Sequence, residues 1–378
     1  MYRVQSSLRR LSGGAPWLFT RTVAVRDWRF LSITIISCAV AAIVASFQYA
    51  VFTSFLRAGA VIPRTVGADF WIVGRTVECF DFPDPFSEDY AAALARYVPD
   101  AEFRRVVFGF APWRSPSGRR GNVAIVGMDA LDIPQTGFVV DRSDLSRLDL
   151  PKDAGIYTEA TISGETLHLA QVVDNLPTFL GAPYVLVPFD RGRAMLRMDP
   201  SSTSFIIGNF TGGKAVDLPA LRASSVQLFP DVSLVTAAEF EASSSRYWQR
   251  KTGAGAAILL AAVLAALLMV ILLANGISRF IQRYHHDLLS LLGHGASERD
   301  VLAIIVMVAV LIAGVTTVSA LAVTPLAILS TNFMLPWVGF RLADMAVPVA
   351  AIAGALLFAI VSARRAVSAY GPETVFRS

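Results

Sequence analysis

The chain has 378 residues, of which 54% are hydrophobic and only 16% are charged, and its formal net charge is +4. Soluble domains carry about 25% charged residues, so this composition excludes an ordinary soluble protein. The 24 Phe and 6 Trp residues also exclude a disordered chain, because disordered segments are poor in apolar and aromatic side chains. Two cysteines, Cys38 and Cys79, are too few for a disulfide framework and need other ligands to form a zinc site.

Four long windows without any charged residue or histidine are the strongest pattern in the sequence. They cover residues 30–56, 252–278, 301–340 and 345–363. About 20 apolar residues cross a bilayer core, so each window predicts one transmembrane helix. The third window is too long for one span, and Pro325 and Pro336 are expected to end its helix. The predicted spans are therefore 30–56, 252–278, 301–329 and 345–363.

The first window differs from a cleaved signal peptide, whose apolar core has about 7–15 residues behind a short basic leader. Here the leader covers residues 1–29 and the apolar core has 27 residues. We therefore expect this segment to remain attached as a signal anchor.

Arginine placement sets the expected orientation, because the cytoplasmic loops of membrane proteins are rich in Lys and Arg. Only Arg341 lies in the short loop 330–344, whereas the arginines on the opposite side are numerous. These are Arg3, Arg9, Arg10, Arg21, Arg26, Arg29, Arg279, Arg283, Arg299, Arg364, Arg365 and Arg377. Segments 1–29, 279–300 and 364–378 are therefore predicted to be cytoplasmic, with both termini inside and segment 57–251 outside.

Segment 57–251 carries 20 basic and 23 acidic residues and has the pattern of a mixed α/β domain. Its β-rich runs are 69–74, 122–129, 182–190 and 204–210, with helical patterns over 87–98 and 236–248. Thr236 and Glu239 have the spacing of a capping box. No Gly or Pro follows before Gly253, so this helix is expected to continue into the second span as a stalk that contains Ser244 and Trp248. The predicted fold is thus four transmembrane α-helices with a large extracytoplasmic α/β domain inserted between helices 1 and 2.

The predicted cytoplasmic loop has the pattern of a short amphipathic helix. Its apolar face contains Phe280, Tyr284, Leu288, Leu291 and Leu292, and Arg283, His286, Asp287 and Ser290 lie elsewhere. Gly293 and Gly295 are expected to end the helix, and Ser297 has capping-box spacing with Asp300. Such a helix is expected to dock in a groove of a soluble partner; the alternative is a helix that lies on the lipid surface.

These residues resemble the MacB/FtsX-type ABC transporter permeases. Residues 283–297, RYHHDLLSLLGHGAS, are similar to the coupling loop of that family at Asp287, Leu288, Leu292, Gly295, Ala296 and Ser297, whereas Ser290 and His294 depart from it. The tail 362–377 resembles the closing pattern of the family. Segments 67–74, 139–150 and 228–248 resemble its periplasmic domain. The DevC-like branch, a permease without a fused ATPase, is the most similar in size.

The resemblance implies a homodimer in the bacterial inner membrane, bound to two copies of a separate cytoplasmic ATPase that carries ATP and Mg²⁺. It further implies a periplasmic adaptor and an outer-membrane channel as partners, besides the membrane lipids. This chain itself is then expected to be non-catalytic, with no cofactor or metal. The loop residues assigned to ATPase coupling are Arg283, Tyr284, Asp287, Leu288, Leu291, Leu292, Gly293, Gly295 and Ser297, and those of the stalk are Thr236, Glu239, Ser244 and Trp248.

Other motifs are weaker. Residues 208–215, GNFTGGKA, match the phosphate-binding loop only in part, because Ala215 replaces the Ser or Thr that would bind Mg²⁺. His285, His286 and His294 lack nearby cysteines, so a polar surface is favoured over a metal site. The basic excess lies beside the predicted spans, which gives no support for nucleic-acid binding.

Two alternatives from other functional classes remain. An FtsX-like protein would share this layout and transmit ATPase motion to a periplasmic enzyme instead of exporting a substrate. A transmembrane receptor would need a cytoplasmic output module, and about fifteen residues follow the fourth predicted span.

Overall fold

The computed structural model describes residues 15–151, 158–178, 181–211, 219, 221–222, 229–332 and 334–369. Contacts divide the chain into two compact units. The helical unit comprises residues 1–53, 257–333 and 338–378, and the α/β unit comprises residues 54–256 and 334–337.

The described elements are numbered along the chain. The α-helices are α1 Ala15–Arg26, α2 Trp28–Ala58, α3 Val61–Thr65, α4 Asp89–Tyr97, α5 Phe189–Met195, α6 Ala237–Arg250, α7 Ala254–Arg283, α8 His285–Gly293, α9 Glu298–Thr331 and α10 Ala346–Ala369. The strands are β1 Phe70–Gly74, β2 Phe86–Ser87, β3 Ala101–Arg114, β4 Arg120–Met128, β5 Gly137–Asp141, β6 Glu159–Ile162, β7 Glu165–Val173, β8 Tyr184–Pro188, β9 Ser202–Thr203, β10 Phe205–Phe210 and β11 Val232–Thr236. Short 3-10 helices cover Arg142–Asp144 and Leu342–Met345.

Three helices of the described chain, α2, α7 and α9, are long and apolar enough to cross a membrane. The fourth predicted span, 345–363, falls mostly on α10. The apolar helical segment described there, Leu342–Phe358, is shorter and comprises the preceding 3-10 helix and the first half of α10. Large apolar side chains stay exposed on the long helices, for example Ile33, Leu267 and Leu326. Such an apolar surface fits a membrane protein, because soluble proteins rarely expose contiguous apolar patches of this kind.

The third span departs from its prediction at Pro325. This residue was expected to help end the helix, yet α9 continues through it to Thr331. Proline removes one backbone hydrogen bond, and helices packed against apolar neighbours tolerate that loss. Here Ala320 and Ile328 are buried on either side of Pro325. Packing therefore holds the helix across the proline.

The core of the helical unit consists of two apolar clusters. The larger one joins α2, α7, α8 and α9 through Leu31, Ile277, Phe280, Leu288 and Ile304. The smaller one contains Ala41, Ala42, Met269, Ala313 and Ile352, most of which have small side chains. Cys38 is buried in the larger cluster and is a free thiol.

The α/β unit contains a nine-stranded sheet among its described residues, in the order β11-β1-β10-β3-β4-β8-β5-β7-β6. Strand β3 also pairs with β6, so six of the strands form a closed ring. The pairs β4–β8 and β5–β7 are parallel, and the other pairs are antiparallel. Alternate inward-facing residues, such as Trp113, Ile125, Phe138 and Val185, are buried in the cluster of this ring. The four β-rich runs of the sequence correspond to β1, β4, β8 and β10.

Strand β1 pairs with β10 and β11 along its two edges, and side chains pack on both of its faces, so all of its residues are buried. Phe70 and Ile72 contact the cluster that includes Leu94 of α4. On the opposite face, the ring of Trp71 packs against Phe240 of α6 at a centroid distance of 5.3 Å. The residues of β1, FWIVG, therefore form a continuous apolar run, as is typical of a strand covered on both sides.

Helix α5 approaches the sheet closely at a glycine pair. A Cβ added at Gly192 would lie 2.8 Å from the Cα of Gly127 in β4. A Cβ at Gly127 would lie 2.6 Å from Cγ2 of Val107 and 3.0 Å from the Cα of Gly192. Both positions therefore require glycine for this contact.

We expect Gly127→Ala to lower the free energy of unfolding of the α/β unit by about 1–3 kcal/mol, because overpacking in a well-packed core costs that much. Gly121→Ala is the matched control in the same strand, since no atom lies within 4 Å of its added Cβ. Thermal unfolding of the full chain in nanodiscs gives the comparison. Equal melting temperatures of the two variants would contradict the close approach of α5.

Candidate coupling site

The segment between α7 and α9 is a helix-turn-helix connection in which backbone and side-chain caps fix each end. Helix α8 ends at Gly293, and Gly295 has a φ of +93°. The amide of Ala296 donates to the carbonyl of Leu291, and the amide of Gly295 donates to that of Leu292, both at 3.0 Å. This pair of bonds is the Schellman motif, in which glycine supplies the left-handed residue. The predicted ending of this helix at Gly293 and Gly295 is confirmed.

The capping box predicted at the start of the third span forms. The hydroxyl of Ser297 accepts from the amide of Asp300 at 3.3 Å, and Oδ2 of Asp300 accepts from the amide of Ser297 at 2.9 Å. Hydrogen bonds from Ser297 lower the pKa of the Asp300 carboxyl below its usual value. The first turn of α9 is thus anionic and fixed, which suits a helix N-terminus.

The apolar face of α8 packs within the chain, and docking of this segment on a partner stays a prediction. Leu288 is only 6% exposed and belongs to the larger cluster of the helical unit. Leu291, Leu292 and Tyr284 are partly buried against the same cluster. Sequence periodicity located the apolar face correctly, but it could not show that α9 and α7 already cover it.

The surface that this segment leaves exposed is polar. Exposed residues include Arg283, Asp287, Gly293, Gly295 and Ser297. Further exposed positions on the same segment are Gln282, His286, Ser290, His294, Glu298 and Arg299. Among the predicted coupling residues, the structure therefore separates a buried apolar set from an exposed polar one.

Asp27 joins the start of α2 to the end of α7. The guanidinium of Arg283 donates to both carboxylate oxygens, with Nε 2.9 Å from Oδ2 and Nη2 3.1 Å from Oδ1. The hydroxyl of Tyr284 also donates to Oδ2. These bonds hold the pKa of Asp27 below its usual value, whereas burial and the same carboxylate raise the pKa of Tyr284 to about 12.

This latch, defined by Asp27, Arg283 and Tyr284, connects two helix breaks. Asp27 separates α1 from α2, and Tyr284 separates α7 from α8. Asp27 was not among the predicted site residues, although the sequence contained a signal: it is the only acidic residue in the first 68 positions and lies three residues before a charge-free window.

The stalk helix α6 begins as predicted. The hydroxyl of Thr236 accepts from the amide of Glu239 at 3.1 Å, and the Glu239 carboxylate accepts from the amide of Thr236 at 2.8 Å. Ser244 and Trp248 face the interior, with Ser244 fully buried. The predicted capping box is therefore confirmed.

The stalk does not continue into the second span, which corrects the prediction of one uninterrupted helix. Helix α6 ends at Arg250, and α7 begins at Ala254. Gly253 between them has a φ of +71°, a conformation that interrupts an α-helix and that glycine adopts without strain. Glycine was the only sequence signal of this break.

Helix α6 is fixed to neighbouring segments of the α/β unit by specific contacts. The hydroxyl of Ser245 donates to the carbonyl of Leu56 at 3.0 Å, and Nε of Arg64 donates to Glu241 at 2.7 Å. The indole of Trp248 lies against Phe55, with ring centroids 6.2 Å apart. A Cβ at Gly59 would lie 2.5 Å from Cδ1 of the same indole. Trp248 thus occupies a space that a residue larger than glycine at position 59 would fill.

Asp81 accepts hydrogen bonds from two further segments and is 3% exposed. Nε1 of Trp248 donates to Oδ2 at 3.1 Å, and the hydroxyl of Tyr184 in β8 donates to Oδ1 at 3.1 Å. The thiol of Cys79 lies 3.6 Å from Oδ2. Burial raises the pKa of the Asp81 carboxyl, although these donors oppose the increase. Burial also raises the pKa of the Cys79 thiol to about 12.

The remaining predictions concern metal and nucleotide binding. Within the described residues, no group of three or more His, Cys, Asp or Glu side chains has a geometry that could hold a metal ion. Half of the glycine-rich stretch 208–215 lies outside the described residues, which end at Thr211 and resume at position 219.

Comparisons with known proteins gave matches to solved structures only. No family model matches the chain, and no curated protein matches its sequence. The periplasmic region of MacB from Actinobacillus actinomycetemcomitans is similar at 8% identity and a TM-score of 0.37, covering 47% of this chain and 94% of that one. The extracellular domain of the noncanonic ABC-type transporter YknZ from Gram-positive bacteria is similar at 10% identity and a TM-score of 0.33, covering 45% and 99%. Each match leaves more than half of this chain outside it.

Removing the Tyr184 hydroxyl tests the buried carboxyl. We expect Tyr184→Phe to lower the free energy of unfolding by about 1–3 kcal/mol, because a buried acceptor is left with one donor fewer. Tyr97→Phe is the control, since Tyr97 is 54% exposed. Chemical unfolding of the full chain in detergent micelles measures both. A Tyr184→Phe chain as stable as the control would show that Asp81 does not depend on this bond.

The latch is tested by hydrogen exchange. In Asp27→Ala, the amides of residues 284–296 should exchange faster than in the unchanged chain, because Arg283 and Tyr284 lose their shared acceptor. Asp287→Ala removes an exposed acid of the same segment and serves as the control. The exchanged pair Asp27→Arg with Arg283→Asp should restore part of the protection. Unchanged exchange in Asp27→Ala would show that the latch does not hold α8.

Proposed function

We propose that this chain is the permease subunit of an ABC transporter in a bacterial inner membrane. Two copies of a separate cytoplasmic ATPase, which bind ATP and Mg²⁺, would drive a homodimer of the chain. The observation that supports this most directly is the order of the parts. A large α/β unit is inserted after the first apolar helix, and a capped polar helix-turn-helix connects the second apolar helix to the third.

The orientation that we propose has both termini and the α8 segment in the cytoplasm. The arginine distribution supports it, because the basic residues near the apolar helices cluster on that side. The α/β unit then lies outside the membrane, in the periplasm, with an adaptor and an outer-membrane channel as further partners. Hydrolysis would move the apolar helices, and the α/β unit would handle the substrate during export across the envelope.

The exposed polar surface of the α8 segment is the proposed contact for the ATPase. Because Leu288 and its apolar neighbours are covered within the chain, recognition would use charged and polar groups such as Arg283, Asp287 and Ser297. Polar interfaces of this kind give specificity through complementary charges. The Schellman turn and the capping box hold this surface rigid, so a force applied to it would reach α7 and α9 without being lost in a flexible loop.

Helix α7 is the covalent connection between this surface and α6. Its C-terminal end carries Arg283 of the latch, and its N-terminal end follows the break at Gly253. Since the break prevents one continuous helix there, we propose that motion enters the α/β unit along α2, which continues to Ala58, and is passed to α6 by side-chain contacts within the unit. Trp248 is the central one, because it contacts Phe55 and Asp81 and lies next to Gly59.

We expect Asp287→Lys to reduce the ATP hydrolysis that the chain stimulates in its partner by about tenfold, as expected when a charge contact across an interface is lost. The assay uses the chain and its co-purified ATPase in nanodiscs. Glu102→Lys, a charge reversal at an exposed position of β3, is the matched control.

Correct insertion of both variants is verified with single cysteines at Ser117 and Ser297, of which only the first should react with an impermeant reagent in spheroplasts. Labelling of Ser297 from outside would contradict the orientation. Normal assembly and normal stimulation in Asp287→Lys would contradict the assignment of this surface to the ATPase.

A further inference from the structure

The large aromatic side chain of Phe82 is 50% exposed, although the three residues before it in the loop are buried. The loop between β1 and β2 buries Cys79, Phe80 and Asp81. The amide of Phe80 donates to the hydroxyl of Ser244 at 3.3 Å, and Asp81 accepts from Trp248. This part of the loop is therefore fixed against α6, and the position of Phe82 is a consequence of that anchoring.

The Phe82 ring belongs to a group of aromatic side chains within the α/β unit. Its centroid lies 5.4 Å from that of Tyr247 and 6.0 Å from that of Trp248. Trp248 contacts Phe55, which in turn contacts Trp337 at 6.1 Å. We call Phe55, Phe82, Tyr247, Trp248 and Trp337 the aromatic belt. Its five side chains come from four segments that are distant in sequence.

The belt lies at the ends of two apolar windows. Phe55 is two residues before Arg57, the first charge after the window 30–56. Trp248 is four residues before Thr252, where the second charge-free window begins. Since a helix rises about 1.5 Å per residue, Phe55 lies within one turn of the end of α2 at Ala58. Trp248 is six residues before Ala254, where α7 begins after the break at Gly253. Tyr and Trp are enriched at this level of a membrane, the boundary between head groups and acyl chains.

Charged groups surround Phe82, and at a membrane surface they have to stay among the polar head groups. Arg75 and Asp84 of the same loop are exposed, and Oδ2 of Asp84 accepts from the hydroxyl of Thr76 at 3.2 Å. Nζ of Lys251 lies 2.8 Å from Oε1 of Glu78, so these two groups compensate each other. The same ammonium lies 5.9 Å from the centroid of Tyr247. A lysine at this position can extend along apolar surface while its charge stays among the head groups. Asp81 is buried by the loop itself and presents no charge to the surface.

We infer that the exposed face of Phe82 inserts into the head-group region of the outer leaflet, so that the loop 75–86 is a lipid-contacting element of the α/β unit. The occupant of this apolar surface is phospholipid, not a second copy of the chain. This inference requires that α2 and α7 cross a membrane and rests on the proposed orientation for the choice of leaflet, but it does not depend on the proposed ATPase or on transport.

The test places the photoreactive residue p-benzoyl-phenylalanine at position 82 of the full chain, in nanodiscs of phosphatidylethanolamine and phosphatidylglycerol. Position 110 is the matched control, because Phe110 is 51% exposed and lies in β3 of the same unit. After irradiation, mass spectrometry quantifies peptides that carry the mass of a phospholipid. Thermal unfolding verifies that both labelled chains remain folded.

We expect phospholipid adducts on the peptide that contains residue 82 and several-fold fewer on the peptide that contains residue 110. Cross-links from residue 82 to a second copy of the chain, without lipid adducts, would assign this surface to a dimer and overturn the inference. Equal lipid labelling at both positions, or none at residue 82, would overturn it as well.

Discussion

The buried Asp81 carboxyl needs hydrogen-bond donors, and different segments of the α/β unit supply them. The Trp248 indole and the Tyr184 hydroxyl come from α6 and β8, and Cys79 belongs to the same loop as Asp81. An unsatisfied buried carboxylate is costly, so these segments are held in one arrangement. Ser244 reinforces it by accepting the Phe80 amide. Hydrogen bonds to this one buried group hold α6 against the loop. They also fix the loop position at which Phe82 is exposed and the position of the Trp248 indole beside Gly59.

The Asp27 carboxylate also accepts hydrogen bonds from a distant segment, but its surroundings are more accessible to water. The donors are Arg283 and Tyr284 at the junction of α7 and α8. The Arg283 side chain is 52% exposed, so water competes for the ion pair and its contribution to stability is small. The buried carboxyl therefore fixes an arrangement, whereas the exposed one is easily opened. A protein that has to move near its polar segment and stay rigid in its α/β unit would use the two in this way.

Local patterns in the sequence predicted the features that depend on neighbours along the chain. The apolar helices, the capping boxes at Thr236 and Ser297 and the glycine turn after α8 belong to this group, since each needs only residues within a few positions. Four strands of the α/β unit were also predictable from their β-branched and apolar runs. The long strand β3 was not predicted, because Arg104, Arg105 and Pro112 interrupt its apolar pattern and its pairing partners are remote.

The features that could not be predicted from the sequence depend on tertiary contacts. Leu288 looked available for a partner, yet α7 and α9 cover it. Pro325 looked like a helix end, yet packing carries α9 past it. Asp81 and Tyr184 are 103 positions apart, so no periodicity relates them. The exposed polar surface of the α8 segment became evident only after the apolar face had been assigned to the interior.

The closed ring of strands has a consequence for the tendency of the α/β unit to aggregate. A strand at the margin of a sheet offers unpaired amides and carbonyls that recruit other chains into aggregates. Because β6 returns to pair with β3 at Trp113 and Arg114, each of the six ring strands has a hydrogen-bonded neighbour on both sides. Among the described strands of the large sheet, β11 alone remains as a terminal member, and it has only five residues before α6 begins. The α/β unit thus leaves little template for mispairing with neighbouring chains.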